Sequence, residues 1–137
     1  MIPKRRISSP NRRKKRSVLG KYRSMFEKNV ADALGDSVEY EADRIPFTQP
    51  AKKRNYTPDF KLREGVYIEC KGLLSAEDRA KMVWVRDQHP DLTFYILFQN
   101  ASVKIRKGSK KTYGDWADDN NFIWADYRTG IPKGWIK

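Results

Sequence analysis

Asp59, Glu69 and Lys71 are the residues of this 137-residue chain whose types and spacing can do chemistry. They follow the pattern Pro58-Asp59, a gap of nine residues, then Glu69-x-Lys71. Carboxylates offer the hard oxygen donors that Mg²⁺ takes, and Mg²⁺ keeps several waters. A neighbouring lysine can orient or help deprotonate such a water, or offset charge gathering on a phosphate. These are the parts of a divalent-metal site for phosphodiester hydrolysis. A duller reading stands beside it on residue types alone. Glu and Lys two apart on a strand are usually a solvated face, and Pro-Asp is usually a turn.

The elements that must position these groups can be read around them. Tyr56–Leu62 and Val66–Lys71 read as two short strands joined by a turn at Arg63-Glu64-Gly65. Strand side chains alternate, so Val66, Ile68 and Cys70 face one way and Tyr67, Glu69 and Lys71 the other. Glu69 and Lys71 then sit side by side, about 7 Å apart along the strand. The hairpin partner brings Asp59 towards them.

Upstream, Ser24–Leu34 reads as a helix with Phe26, Val30, Ala33 and Leu34 as its stripe and Gly35 as its stop. Ser24 and Glu27 have capping-box spacing. Ser37–Ile45 alternates as a half-buried strand. The link Ile45–Pro50, bounded by prolines, is expected to run extended rather than fold tightly back on its own domain. That suits either a bridge between subunits or an ordinary exposed connection.

Downstream, Ser75 caps a second helix with Asp78 at N3, an apolar face of Ala76, Ala80, Val83 and Trp84, and Pro90 past its end. Leu92–Phe98 is a continuous apolar run and reads as a central strand buried on both faces. Val103–Lys107 is a weaker alternating strand. Thr112-x-x-Asp115 opens a short helix through Asp119, closed by Asn120 and Asn121. Phe122–Ala125 is a last short strand, and Trp135 anchors the tail. A helix between two strands gives a parallel crossover, while hairpins give antiparallel pairs. The fold class expected is α/β, a mixed sheet with flanking helices.

Composition bounds the function. The chain suits one domain with a real core. It lacks an apolar run near the ~20 residues of a membrane span. The single cysteine, Cys70, excludes an internal disulfide and fits a reducing compartment. Residues 1–23 hold ten of the twenty-nine basic residues and no acid, leaving nineteen bases against seventeen acids in the rest. Most of the +12 charge therefore sits on an arm that seeks polyanions, nucleic acid first. Residues 1–16 are expected to be a disordered basic arm, and 17–137 a single domain.

Several islands in order carry a resemblance. They are Arg23-Ser24-x-x-Glu27, Glu39-Tyr40-Glu41, Tyr56-Thr57-Pro58-Asp59-Phe60, Glu69-Cys70-Lys71-Gly72-Leu73, Asp78-Arg79, Gln88-His89-Pro90, Lys107-Gly108-Ser109, Tyr113-Gly114 and Trp135-Ile136-Lys137. This pattern resembles the PD-(D/E)xK nuclease superfamily, and within it the bacteriophage endonuclease I family of Holliday-junction resolvases. The resemblance implies a restriction-endonuclease-like core in a domain-swapped homodimer. It implies a catalytic set of Glu27, Asp59, Glu69 and Lys71, with Glu27 coming from one subunit and the other three from its partner. It also implies a bacterial cytoplasmic setting for a phage protein.

The reading that follows is a crossover junction endodeoxyribonuclease. It cuts four-way and other branched DNA with Mg²⁺, which Mn²⁺ can replace. The expected metal ligands are Asp59, Glu69, the Cys70 backbone carbonyl and Glu27. Phosphate contacts are expected from Arg5, Arg6, Arg12, Arg13, Lys14, Lys15 and Arg16 on the arm, and from Lys52, Lys53, Arg54, Lys104, Arg106 and Lys107 on the body. Two residues keep local readings: Glu27 as a helix cap, and the single histidine, His89, as a helix-terminal residue. The Cys70 thiol reads as core. The rival functions are a less structure-selective nuclease with the same core and a basic nucleic-acid-binding protein without chemistry.

Overall fold

The computed structural model describes residues 20–49 and 52–136. The elements run α1 (Met25–Leu34), β1 (Glu39–Tyr40), β2 (Ile45–Gln49), β3 (Lys52–Tyr56), β4 (Phe60–Arg63), β5 (Val66–Lys71), α2 (Ala76–Gln88), β6 (Thr93–Phe98), α3 (Tyr113–Asp119), β7 (Ile123–Asp126), a 3₁₀ turn at Tyr127–Thr129 and α4 (Lys133–Ile136). Five strands form one sheet in the order β1-β4-β5-β6-β7, and β2 pairs with β3 in a separate hairpin. β1, β4 and β5 are antiparallel neighbours. β6 lies parallel to β5 and β7 parallel to β6, with α2 as the crossover between β5 and β6. This is the mixed sheet that the order of elements implied.

Alternation along β5 and β6 divides the core into two layers. Tyr67, Phe94, Ile96 and Phe98 pack on one face with α2, α3 and the β2–β3 hairpin. Ile68, Cys70 and Leu97 pack on the other with Val30 and Leu34 of α1, Phe60 and Trp135. β6 is thus buried from both sides. Trp135 closes the second layer by stacking on Tyr95 with ring centroids 4.4 Å apart. Among the described residues no helix is long and apolar enough to cross a membrane.

The capping signals were accurate for α2 and α3. Ser75 and Asp78 form a reciprocal capping box, as do Thr112 and Asp115. The buried residues of α2 are Met82 and Val85, while Val83 and Trp84 are half-buried and Ala76 is exposed. The inward face is therefore rotated from the expected one, set by contact with the sheet and with β2.

Three expected strands come out differently. Ser37–Ile45 is not one strand: β1 is two residues long, and the chain turns away at Glu41, whose φ is +48°. Its last rung is the Glu41 N–H donating to Asp59 O at 2.8 Å. Tyr56–Leu62 is also broken. Tyr56 ends β3 and Phe60 begins β4, because Pro58 has no N–H to donate to a ladder. Val103–Lys107 is a loop with a single antiparallel bridge, Lys104 to Thr112, because its partner segment enters α3 directly after Thr112.

The Ile45–Gln49 part of the link is extended as expected, but within this chain it does fold back. Ile45–Gln49 pairs with Lys52–Tyr56, and Ile45 and Phe47 are buried. The end of α2 fastens it. Thr48 N–H donates to Gln88 Oε1 at 2.5 Å, the Gln88 amide donates to Thr48 O at 2.6 Å, and His89 Nε2 bonds Pro46 O. Local alternation of Ile45 and Phe47 with Pro46 and Thr48 makes one face apolar, and α2 covers it.

Candidate active site

Asp59 is held by the break it sits in. The chain leaves β3 at Tyr56 and enters β4 at Phe60, and the Asp59 side chain replaces a missing rung. Its Oδ2 accepts the Cys70 backbone N–H at 2.8 Å. Its Oδ1 accepts from Arg23 Nη2 at 3.1 Å. Asp59 is only 2% exposed. Burial first, and then the neighbouring Glu69 charge, push its carboxyl up to about 8, with Glu27 adding to the rise and the Cys70 N–H and Arg23 pulling against it.

Glu69 stands on β5 on the Tyr67 face, 7% exposed. Its Oε1 accepts from the Tyr56 hydroxyl at 2.5 Å, and its Oε2 lies 3.4 Å from Lys71 Nζ. Lys71 also lies 3.2 Å from Asp78 Oδ1 on α2. Burial works against the Lys71 charge, but Glu69 and Asp78 more than offset it, so its pKa is raised. Lys71 is therefore a stable cation in this arrangement. Burial, followed by the Asp59 and Glu69 charges, pushes the Cys70 thiol up, which fits the core thiol expected for it.

Glu27 reaches the same place from α1. Ser24 Oγ accepts the Glu27 N–H at 3.1 Å, so the N-cap half of the expected box forms. The return half does not go to Ser24. Glu27 Oε1 accepts from Arg23 N–H at 3.2 Å and from the Tyr40 hydroxyl at 2.6 Å. The cap and site readings share this residue: its backbone starts the helix while its carboxylate faces Asp59.

The structure adds two residues that sequence reasoning left out of the site. Glu41 joins Glu27 and Asp59 so that one carboxylate oxygen from each lies within 4.8 Å of the others. Arg23 sits among them, its Nη2 at 2.9 Å from Glu41, 3.1 Å from Asp59 and 3.9 Å from Glu27. Burial opposes the guanidinium charge, yet the Tyr40 hydrogen bond and these three carboxylates raise its pKa overall. The positive φ at Glu41, uncommon outside glycine, turns its side chain into the cluster. Both residues lie in motifs legible in the sequence, Arg23-Ser24-x-x-Glu27 and Glu39-Tyr40-Glu41. Their convergence depends on the chain reversing at Glu41.

Arg23, Glu41, Tyr56, Glu69, Lys71, Asp78 and Lys81 line one open cleft of about 480 Å³, together with Asn55 and Thr57. The donor set suits a hard divalent cation. The site holds oxygen ligands, and it already attracts a positive group in Arg23, whose guanidinium pairs with the buried Glu41 Oε2 at 2.9 Å. Glu27, Glu41 and Asp59 would hold such an ion, with Glu69 on the adjoining wall. His89 does not line this cleft. It caps the C-terminal end of α2 and faces Pro46.

The expected DNA-contact residues are distributed unevenly. Lys53 and Arg54 are exposed on β3, and Arg54 borders a groove with Trp84 and Lys81 of α2. Lys104, Arg106 and Lys107 are exposed on the loop before α3. Arg5, Arg6, Arg12, Arg13, Lys14, Lys15 and Arg16 lie outside the described residues, as does the side chain of Lys52.

A family model described as phage endonuclease I matches residues 8–137 of this chain. The chain belongs to the phage endonuclease I family. It is 38% identical over 122 residues to "Endonuclease I" of Escherichia phage T7, covering 87% of this chain and 80% of that protein. It is 39% identical over 119 residues to "Endodeoxyribonuclease 1" of Enterobacteria phage T3, covering 85% and 77%. The family match begins at residue 8, inside the segment read as a basic arm, and includes all four residues of the expected catalytic set.

One relationship bears on the expected subunit exchange. Glu27 and Asp59 of the same chain lie in one cluster. A single chain can thus bring the α1 glutamate to the β4–β5 hairpin without a partner.

Proposed function

We propose that this protein is a divalent-metal-dependent DNA endonuclease that resolves four-way junctions and cuts other branched DNA by phosphodiester hydrolysis. One observation carries the reading. Glu69 and Lys71 of β5 line one solvent-open cleft with Arg23 and Glu41, and Glu41 joins Glu27 of α1 and the buried Asp59 in a carboxylate cluster beside it, in a chain of the phage endonuclease I family.

Glu27, Glu41 and Asp59 would hold Mg²⁺, or Mn²⁺ in its place, and Glu69 would complete the oxygen shell. Such an ion supplies Lewis-acid stabilisation of the charge that builds on the phosphate during in-line displacement. The chain's own residues do the rest. Asp59 and Glu69 bring negative charge to the ion. The Lys71 ammonium, held between Glu69 and Asp78, faces the developing charge on the phosphate oxygens. Arg23, with a side chain 66% exposed, can leave the carboxylates for the substrate backbone.

Selectivity would rest on shape and backbone rather than base sequence. Two such sites in a homodimer would match the paired scissile bonds of a junction. The β2 segment would serve as the hinge of a domain swap, exchanging α1 between copies while reproducing the contacts seen within one chain. The basic arm would add phosphate contacts.

The test compares a labelled four-way junction with linear duplex of the same sequence, in Mg²⁺, in Ca²⁺ and with chelator. Symmetric Mg²⁺-dependent nicks at the junction support the proposal. Equal cutting of duplex would point to a less selective nuclease, and tight binding without cutting to a non-catalytic protein.

A further inference from the structure

The Glu69–Lys71 pair is held from both ends. A chain of polar interactions runs across three elements: the Tyr56 hydroxyl on β3 to Glu69 Oε1 (2.5 Å), Glu69 Oε2 to Lys71 Nζ (3.4 Å), Lys71 Nζ to Asp78 Oδ1 (3.2 Å), and the Ser75 N–H to Asp78 Oδ2 (3.1 Å). We propose that Tyr56 and Asp78 are positioning residues that fix the Glu69 carboxylate and the Lys71 ammonium in their working geometry. This inference rests on the proposed hydrolysis at the same cleft.

Each end has an anchor with no freedom to drift. Tyr56 is 3% exposed, and its ring lies in the core layer shared with Phe94. Its hydroxyl can therefore act only where the ring puts it, on one oxygen of Glu69. That leaves Glu69 Oε2 for the cleft side, where it meets Lys71. Asp78 divides its oxygens in the same way. Oδ2 closes the capping box of α2, and Oδ1 holds Lys71. The N-terminus of α2 is thereby tied to the end of β5.

A carboxylate or ammonium on this cleft has several rotamers open to it if nothing holds it. Outer-shell partners of metal-ligating groups commonly carry tenfold to hundredfold effects because they remove that freedom. Burial also matters. With the phenol gone, Glu69 Oε1 would lose its partner in a dry setting and the carboxylate would swing towards Lys71 or solvent.

Two near-isosteric variants test this in the full-length protein. Tyr56→Phe removes one hydroxyl and keeps the ring. Asp78→Asn keeps an oxygen for the Ser75 N–H and removes the charge that holds Lys71. The measurements are single-turnover cleavage of a four-way junction, junction affinity, Ca²⁺ affinity by calorimetry, and Tm. Both variants should lower the cleavage rate by about tenfold to a hundredfold with junction affinity unchanged. Tyr56→Phe should also weaken Ca²⁺ binding by about tenfold. In a Lys71→Ala background, Asp78→Asn should cost no further rate, because the group it positions is gone.

Wild-type rates in both variants, or an Asp78→Asn loss that persists in full without Lys71, would overturn the positioning role. Failure of the wild-type protein to cut any DNA would instead overturn the proposed function.

Discussion

Arg23 Nη2 lies 3.1 Å from Asp59 Oδ1, and the same nitrogen is 2.9 Å from Glu41 Oε2. A guanidinium thus stands where three carboxylates converge. It balances their charge when no other cation does, and it occupies space that a divalent ion would use.

Replacing Arg23 separates these effects. Arg23→Gln should bind Ca²⁺ several-fold more tightly, because an internal competitor is gone. Its cation-free Tm should fall, because Glu27, Glu41 and Asp59 lose the guanidinium that pairs with them. Calorimetric Ca²⁺ titration and thermal melts read both. Weaker Ca²⁺ binding in the variant would mean that Arg23 supports the ion's site rather than competing for it.

Asp59 should make stability depend on pH in an unusual direction. Its carboxyl is held near 8 when folded, against 3.8 for the free group. Between those values the folded chain keeps a proton that the unfolded chain has released. Stability from this group is present at low pH and is lost as pH rises through about 8. The Tm without cation should therefore fall from about pH 5.5 to about pH 8.5. Asp59→Asn should flatten that slope, as should saturating Ca²⁺, which favours the ionised carboxylate. A slope unchanged in Asp59→Asn would assign it to another group.

Much of this arrangement was legible in residue order. The β5 alternation, the two capping boxes of α2 and α3, and the doubly buried β6 follow from local rules, because their hydrogen bonds and apolar faces are set within a few residues. The breaks were not legible in the same way. Glu39–Ala42 alternates like a strand, but the reversal at Glu41 is settled by its contacts with Asp59 and Arg23. The proline-bounded β2 folds back because α2, some 40 residues later, offers Gln88 and His89 to its carbonyls and N–H. Asp59, Glu69 and Lys71 could be named from one motif. Arg23, Glu41, Tyr56 and Asp78 acquire their roles only through tertiary convergence.

The proposed subunit exchange has a clean complementation test. Glu27→Gln and Lys71→Ala are each expected to be inactive alone. In a swapped dimer containing one copy of each, both substitutions fall in one site and the other site is intact. Co-refolded mixtures should then regain nicking of one strand per junction. An unswapped dimer leaves one defect in every site, and mixing would restore nothing.

The basic residues of the first sixteen positions should act through phosphate charge. Deleting residues 1–16, which removes eight Lys or Arg, should weaken junction binding and reduce the slope of log affinity against log salt. Every phosphate that the shortened protein no longer neutralises lowers that slope by roughly 0.9 on duplex DNA. An unchanged slope would place these residues off the DNA.

The most direct test of the central claim is strand-resolved cleavage of a labelled four-way junction by the wild-type protein, Glu69→Gln and Lys71→Ala at saturating Mg²⁺. The wild type should make paired, symmetric nicks at the branch. Both variants should bind the junction with wild-type affinity and cut at least about a hundredfold more slowly. Full cleavage by either variant would contradict the account.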